Sequence, residues 1–151
     1  TLSGASTTFS AVFSATYDQY LVSITNLQIS SATRLAVQLA LNGTASTTGY
    51  QTVQIGNSST TVTALDIAGD NYPAFELTTT AGQGGSIIIT NPFLAVASKL
   101  NTSSLYVPAT AVVWNSLGTH NVSTSYNDLI MFVSSGTFTS GKVNIYGYSL
   151  S

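Results

Sequence analysis

Apolar and polar residues alternate along most of the chain. Tyr20, Val22 and Ile24 share one face of residues 20–27. In residues 34–41, one face carries Leu35, Val37, Leu39 and Leu41, and the opposite face carries Arg34, Ala36 and Gln38. A side-chain period of two is typical of half-buried β-strands. The same rhythm or a β-branched composition predicts further strands at residues 9–13, 60–67, 75–79, 86–90, 111–114, 129–133 and 143–148.

Short polar segments separate these strands. Turns are predicted at residues 42–43, 55–58 and 81–85, which contain Asn-Gly, Gly-Asn-Ser and three glycines, respectively. Only residues 92–100 could form two short helical turns, and the polar residues 101–104 would end them. About nine strands joined by such turns indicate a single all-β domain of 8–10 strands, either a β-sandwich or a closed barrel.

Composition narrows the range of functions. The chain of 151 residues has a net charge of −2, and only 5% of its residues are charged, against about 25% in an average domain. It therefore has no basic face for nucleic acid and no polybasic cluster for a membrane surface. Its polarity comes from 22 Ser and 23 Thr. Neutral hydroxyl surfaces let identical copies pack without like-charge repulsion, which favours assembly.

The sequence offers little for catalysis or metal binding. It has no cysteine, so disulfides, thiolate nucleophiles and cysteine-bound metals are excluded. The single histidine, His120, lies in a polar, turn-like segment and is expected to be an exposed loop residue. Asp70 and Glu76 could meet across a loop as a glycosidase pair would, and Asp66 with Asp70 could bind calcium. Neither arrangement has a supporting motif, so no enzyme, cofactor or metal site is predicted.

The remaining candidates have simpler interpretations. Asp18, Asp70 and Asp128 lie in turn-like contexts where Asp caps its own backbone. Gly82–Gly85 precedes a strand and lacks a following Lys-Ser/Thr, so it is interpreted as a hairpin turn and not a phosphate loop. The glycosylation sequons would matter only in a secretory pathway; they occur at Asn42, Asn57, Asn101 and Asn121.

Aromatic residues leave sugar binding open. Trp114 is expected to pack in the core, whereas Tyr146 and Tyr148 share one strand face near the end of the chain. Phe132 and Phe138 are candidate core anchors, and Arg34 is a candidate for a partly buried ion pair. Gly136 and Gly141 are expected to supply turn conformations.

Residues near both ends of the chain carry a further pattern. Tyr17-Asp18-Gln19-Tyr20 opens one strand, and Thr33-Arg34-Leu35 opens the next. Near the other end, Ser135-Gly136-Thr137-Phe138 leads through Gly141 to Tyr146-Gly147-Tyr148. These segments resemble the small jelly-roll domains of tailed-bacteriophage virion proteins.

The resemblance implies a jelly-roll sandwich over residues 11–151. Residues 1–10 are polar and lack a strong strand signal, so they could form an extended arm across a neighbour. The resemblance also implies a capsid decoration (cement) protein on the capsid surface of the virion, bound to the major capsid protein and to further copies of itself. The alternative is a receptor- or carbohydrate-binding head of a tail or head fibre, with a cell-surface glycan as ligand. The lack of an upstream stalk favours decoration; Thr1 fits either removal of an initiator Met or cleavage. No interface residue is predicted.

Overall fold

The computed structural model describes residues 2–31, 33–58, 61–67, 73–77, 82–106 and 112–149. Within them the chain forms two antiparallel sheets that pack together, and it forms no helix. The predicted all-β sandwich is confirmed; its jelly-roll form stays a prediction. The strands in chain order are β1 Ser6–Phe9, β2 Gln19–Ile29, β3 Thr33–Leu41, β4 Thr44–Ala45, β5 Tyr50–Ser58, β6 Thr61–Ile67, β7 Ala74–Leu77, β8 Gln83–Thr90, β9 Ser98–Tyr106, β10 Val112–His120, β11 Asp128–Val133 and β12 Phe138–Tyr148.

The two sheets differ in width. The small sheet has the order β1-β11-β3-β4, with β7 also paired to β3. The large sheet has seven strands in the order β12-β2-β8-β9-β10-β5-β6, and β8, β9 and β10 form a meander within it. The chain crosses between the sheets at β1 to β2, β2 to β3, β4 to β5, β6 to β7, β7 to β8, β10 to β11 and β11 to β12. The small sheet therefore covers only part of the large one.

Two strands of the large sheet were not predicted from the sequence. Residues 55–58 and 101–104 lie in β5 and β9 instead of ending elements, and residues 91–97 form turns instead of helix. The inward-facing residues of these strands are polar, as Gln54 and Thr102 illustrate, each of them buried. The usual pattern of apolar inside and polar outside is therefore absent. With β5, β9 and the two-residue β4 of the small sheet, the described residues form twelve strands where about nine were expected.

The N-terminal segment packs on its own domain in this structure, instead of extending as an arm. β1 pairs with β11, and Leu2 is buried in the core. The predicted strand at residues 9–13 was wrong, because β1 ends at Phe9 and Ala11 adopts a φ of 54°. The hairpin predicted at residues 81–85 was also wrong, since β7 pairs with β3 in the small sheet and β8 pairs with β2 in the large one.

The core forms where the inner faces of the two sheets meet. The predicted inner face of β2 is confirmed, with Tyr20, Val22 and Ile24 all buried. In β3, three of the four predicted residues are buried, and Leu41 at the strand end is exposed. Phe138 joins the core, whereas Phe132 lies half-buried outside it. The outer face of the large sheet has no partner sheet in the described residues.

The single tryptophan packs over a glycine of the neighbouring strand in the large sheet. Trp114 packs against the core as expected, and its direct neighbour on β5 is Gly56. A Cβ atom added at Gly56 would lie only 2.4 Å from the indole ring. The indole therefore occupies the space that a side chain at position 56 would need.

We expect Gly56→Ala to lower the free energy of unfolding by about 1–3 kcal/mol, the usual effect of overpacking. In a Trp114→Val background the same change should be neutral or slightly stabilising, because Ala suits a strand better than Gly. Urea denaturation followed by circular dichroism measures both values. Equal losses in the two backgrounds would contradict this packing.

Candidate functional site: an exposed apolar sheet face

The large sheet carries apolar side chains on both of its faces. In β8, Ile87 and Ile89 point inward and are buried, whereas Ile88 points outward and is 38% exposed. Twelve large apolar side chains are exposed among the described residues. Eight of them lie on the outer face of this sheet: Val53, Ile55, Val62, Ile88, Val113, Leu117, Tyr146 and Tyr148.

The strand register aligns these residues into a row across the sheet. From β12 to β5, directly paired positions carry Tyr146, Leu21, Ile88, Asn101, Leu117 and Val53. Adjacent strands lie about 4.8 Å apart, so the row is about 24 Å long. We call it the apolar row. Uncharged amide and hydroxyl residues form the next row along the strands: Asn144, Ser23, Ser86, Ser103 and Asn115.

A shallow groove lies in the middle of this face. Its volume is about 300 Å³, and its lining is mostly apolar, with exposed amide and hydroxyl groups beside the aliphatic side chains. Its centre lies between β9 and β10. The lining residues are Val53, Ile55, Ser86, Ile88, Asn101, Thr102, Ser103, Asn115 and Leu117.

The middle of the outer face carries no charged residue. Among the described side chains, the apolar row and its amide and hydroxyl neighbours contain none that is charged. Charged residues surround them: Lys99, near the start of β9, and Lys142 of β12 lie in the rows on either side, and Asp66 of β6 is the residue paired with Val53. A protein that docks here would therefore lose little charge solvation and would be held mainly by apolar contact and neutral hydrogen bonds. Exposed apolar patches of this kind mark interaction sites.

His120 is not the exposed loop residue that the sequence predicted. It ends β10 and is fully buried. The ring packs against Tyr50 and Tyr126, with centroids 4.3 and 5.1 Å away, and Nε2 shares a 2.9 Å hydrogen bond with the Ser46 hydroxyl. Nδ1 is buried without a hydrogen-bond partner. Because side chains alternate along β10, His120 lies on the same inner face as Trp114. This alternation could have predicted the burial of His120.

Burial also sets the protonation of this histidine. Loss of solvation lowers the pKa of His120 below its ordinary 6.5, and the Thr48 backbone opposes this shift more weakly. The neutral ring therefore ties the loop after β4 to the end of β10. It acts as a structural link between the loops at this end of the sandwich.

The acidic candidates fall into two groups. Asp128 is buried, and its carboxylate accepts hydrogen bonds from Ala11 N at 2.7 Å and Gly43 N at 2.6 Å. These donors are distant in sequence, so Asp128 joins two loops instead of capping its own turn as predicted. Asp70 lies outside the described residues, and so do the side chains of Asp66 and Glu76. The glycosidase and calcium hypotheses therefore stay untested. Within the described part of the chain, no three His, Asp or Glu residues come together to hold a metal ion.

The other candidates can be placed more briefly. Tyr146 and Tyr148 share the outer face as expected. Arg34 is exposed, not partly buried, and its register partner is Glu76. Gly136 has the expected turn conformation, whereas Gly141 lies at an irregularity inside β12. Three sequon asparagines are exposed, namely Asn42, Asn101 and Asn121, and the side chain of Asn57 lies outside the described residues.

Sequence reasoning missed the apolar row, although one signal pointed to it. Three consecutive apolar residues within a strand place apolar side chains on both faces, and this occurs at Ile87–Ile89 and 112–114. In β5 the sequence pattern was misleading. Its apolar Val53 and Ile55 alternate with polar residues and would be taken as core, whereas the register with β10 places them outside.

Comparison with known proteins adds no further constraint. No protein-family model, curated protein or solved structure matches this chain. The described residues also contain no helix long and apolar enough to span a bilayer. Two features of the chain therefore bear on its function: the outer face of the large sheet and the resemblance noted in the sequence.

We expect the free energy of unfolding to fall as the pH drops below 6.5. The folded state binds a proton on His120 less readily than the unfolded state does. The contribution of the neutral His120 ring to the free energy of unfolding is therefore complete above pH 6.5 and is lost on acidification. The slope from one group is at most about 1.4 kcal/mol per pH unit. Chemical denaturation between pH 7.5 and 4.5 measures it. His120→Gln should remove this part of the slope; an unchanged profile in that variant would contradict the assignment.

Proposed function

We propose that this protein is a capsid decoration protein of a tailed bacteriophage, which attaches to the virion through the outer face of its large sheet. The observation that carries the proposal is the apolar row on an exposed and nearly uncharged face. The resemblance of the chain ends to phage virion domains supplies the setting. The partners at this face are copies of the same chain and the major capsid protein.

The physics of this face suits a shell protein. Leu117 is 58% exposed, so docking would remove much of its side chain from water, at about 25 cal/mol for each Å² of apolar area. Contact at one site is modest, but attachment of many linked copies multiplies the affinity by avidity. Because the apolar row and its neighbouring row contain no charged side chain among the described residues, binding should depend only weakly on ionic strength.

The jelly-roll form of the sandwich belongs to the same proposal. Its support is the crossing of the chain between the two sheets in consecutive connections, from β10 to β11 and from β11 to β12. A sandwich whose chain crosses between its sheets in this way keeps one sheet face rigid. A docking surface of fixed shape needs such a face.

A second candidate function rests on the two tyrosines of β12. Tyr146 and Tyr148 are 50% and 46% exposed on the same face of one strand, about 6.8 Å apart along it. Aromatic rings in such positions can stack on sugar rings, which would suit a glycan-binding fibre head. Under this alternative, Tyr146→Ala would abolish binding to cell-surface glycans and leave the attachment of the protein to its particle intact.

Immunogold labelling of intact particles tests the proposal directly. We expect label spread regularly over the head of the particle. Label confined to tail or fibre tips would overturn the decoration role and favour the glycan-binding alternative.

A rebinding experiment tests the surface. We expect Leu117→Lys to weaken binding to stripped particles at least 10-fold, because a buried unpaired ammonium group is costly. Val96→Lys is the matched control, since Val96 is exposed in a loop outside this face. Both variants should melt near the wild-type temperature. Wild-type binding by Leu117→Lys, or equal losses in both variants, would contradict the assigned surface.

A further inference from the structure

We propose that the partner at this face is a second copy of the chain, packed face to face about a two-fold axis, with Tyr146 of each copy seated in the groove of the other. This inference rests on the proposed function, because it names the partner of the same surface. It adds the symmetry and the residue pairs.

The first support is charge. Identical charged faces repel one another, whereas the apolar row and its neighbouring row carry no charge among the described side chains. A two-fold axis parallel to the strands places each row of one copy opposite the same row of the other. Apolar side chains then meet apolar side chains, and hydroxyl and amide groups meet their like.

The second support is a protruding side chain and a groove on one row. Tyr146 is half exposed on edge strand β12. The groove centre, between β9 and β10, lies three and a half strand spacings away, about 17 Å. An axis midway between the two, over β2 and β8, brings each Tyr146 onto the groove of its partner, as an isologous dimer requires.

The groove suits this occupant. Its volume of about 300 Å³ lies at the lower end of the range for small-ligand pockets, about 300–1,000 Å³, and can accept one aromatic ring. Ile88 and Leu117 offer apolar contact, and the amides of Asn101 and Asn115 offer partners for a phenol hydroxyl. Tyrosine has this combination of an apolar ring and a polar tip.

The third support is area. With the axis over β2 and β8, about four and a half strands of each copy overlap, an area of roughly 22 by 27 Å, or about 600 Å² per copy. The total of about 1,200 Å² reaches the lower limit of specific, stable interfaces. Beyond the overlap, Ile55 on β5 and Val62 on β6 stay available for the shell protein.

Sedimentation of the wild-type chain tests the partner. We expect a dimer of twice 15.6 kDa at tens of micromolar. Tyr146→Ala and Leu117→Lys should each raise the dissociation constant at least 10-fold with an unchanged circular dichroism spectrum, and Val96→Lys should leave it unchanged. A monomeric wild type, a trimer, or a dimer that tolerates Leu117→Lys would overturn the proposal.

Cross-linking tests the symmetry. The chain has no native cysteine, so only the introduced thiols can react. We expect Asn144→Cys combined with Ser103→Cys, in the row beside Tyr146, to be joined by a short bismaleimide into a closed, doubly bridged dimer. The control is Asn144→Cys with Val96→Cys, which should not cross-link. A ladder of higher oligomers, or bridging in the control, would overturn the two-fold arrangement.

The two proposals fail separately. A monomeric wild type whose Leu117→Lys variant loses particle binding would overturn the dimer and leave the decoration role standing. A cross-linked dimer without any affinity for particles would overturn the decoration role alone.

Discussion

The pairing of β8 with β9 at the centre of the large sheet is the constraint on which both faces of the protein depend. In this register Ile87 lies beside Thr102 on the inner face, and Ile88 lies beside Asn101 on the outer face. A shift by one residue would exchange the two faces of a strand. The neighbouring strands continue the same register, so this single alignment places the core on one side and the apolar row on the other.

The unequal width of the sheets makes this constraint matter for function. The small sheet supplies apolar partners for β2 and β8, whereas the inner faces of β9, β10 and β5 bury hydroxyl, amide and imidazole groups. Hydrogen bonds compensate this burial, for example from Ser116 N to the Thr102 hydroxyl. Val53, Ile55, Val113 and Leu117 of β5 and β10 lie outside instead, whereas Leu100 of β9 joins the core. This distribution of polar and apolar groups leaves the large sheet with the exposed apolar face that we propose as a surface for assembly.

Sequence reasoning succeeded where one face of a strand is apolar and the other polar. The inner residues of β2 and all but Leu41 of those predicted for β3 were correct, because they follow the simple pattern. It failed for β5 and β9, since their inner residues are polar and their environment comes from partners distant in sequence. It also misplaced His120, because a polar local context suggested a loop while the strand register buried the ring. The outer face could not be assigned for the same reason: only the pairing of seven strands shows that Leu117, Ile88 and Tyr146 lie on one row.

Hydroxyl-radical footprinting of the protein on its particle and after release, at a dilution at which the released dimer has dissociated, tests the central claim, that the outer face of the large sheet is the docking surface. The account predicts strong protection of Ile88, Leu117 and Tyr146 in the assembled state. Leu94 and Val96, which are exposed elsewhere, should react equally in both states. Equal reactivity of Leu117 before and after release, together with protection at Leu94 and Val96, would contradict it.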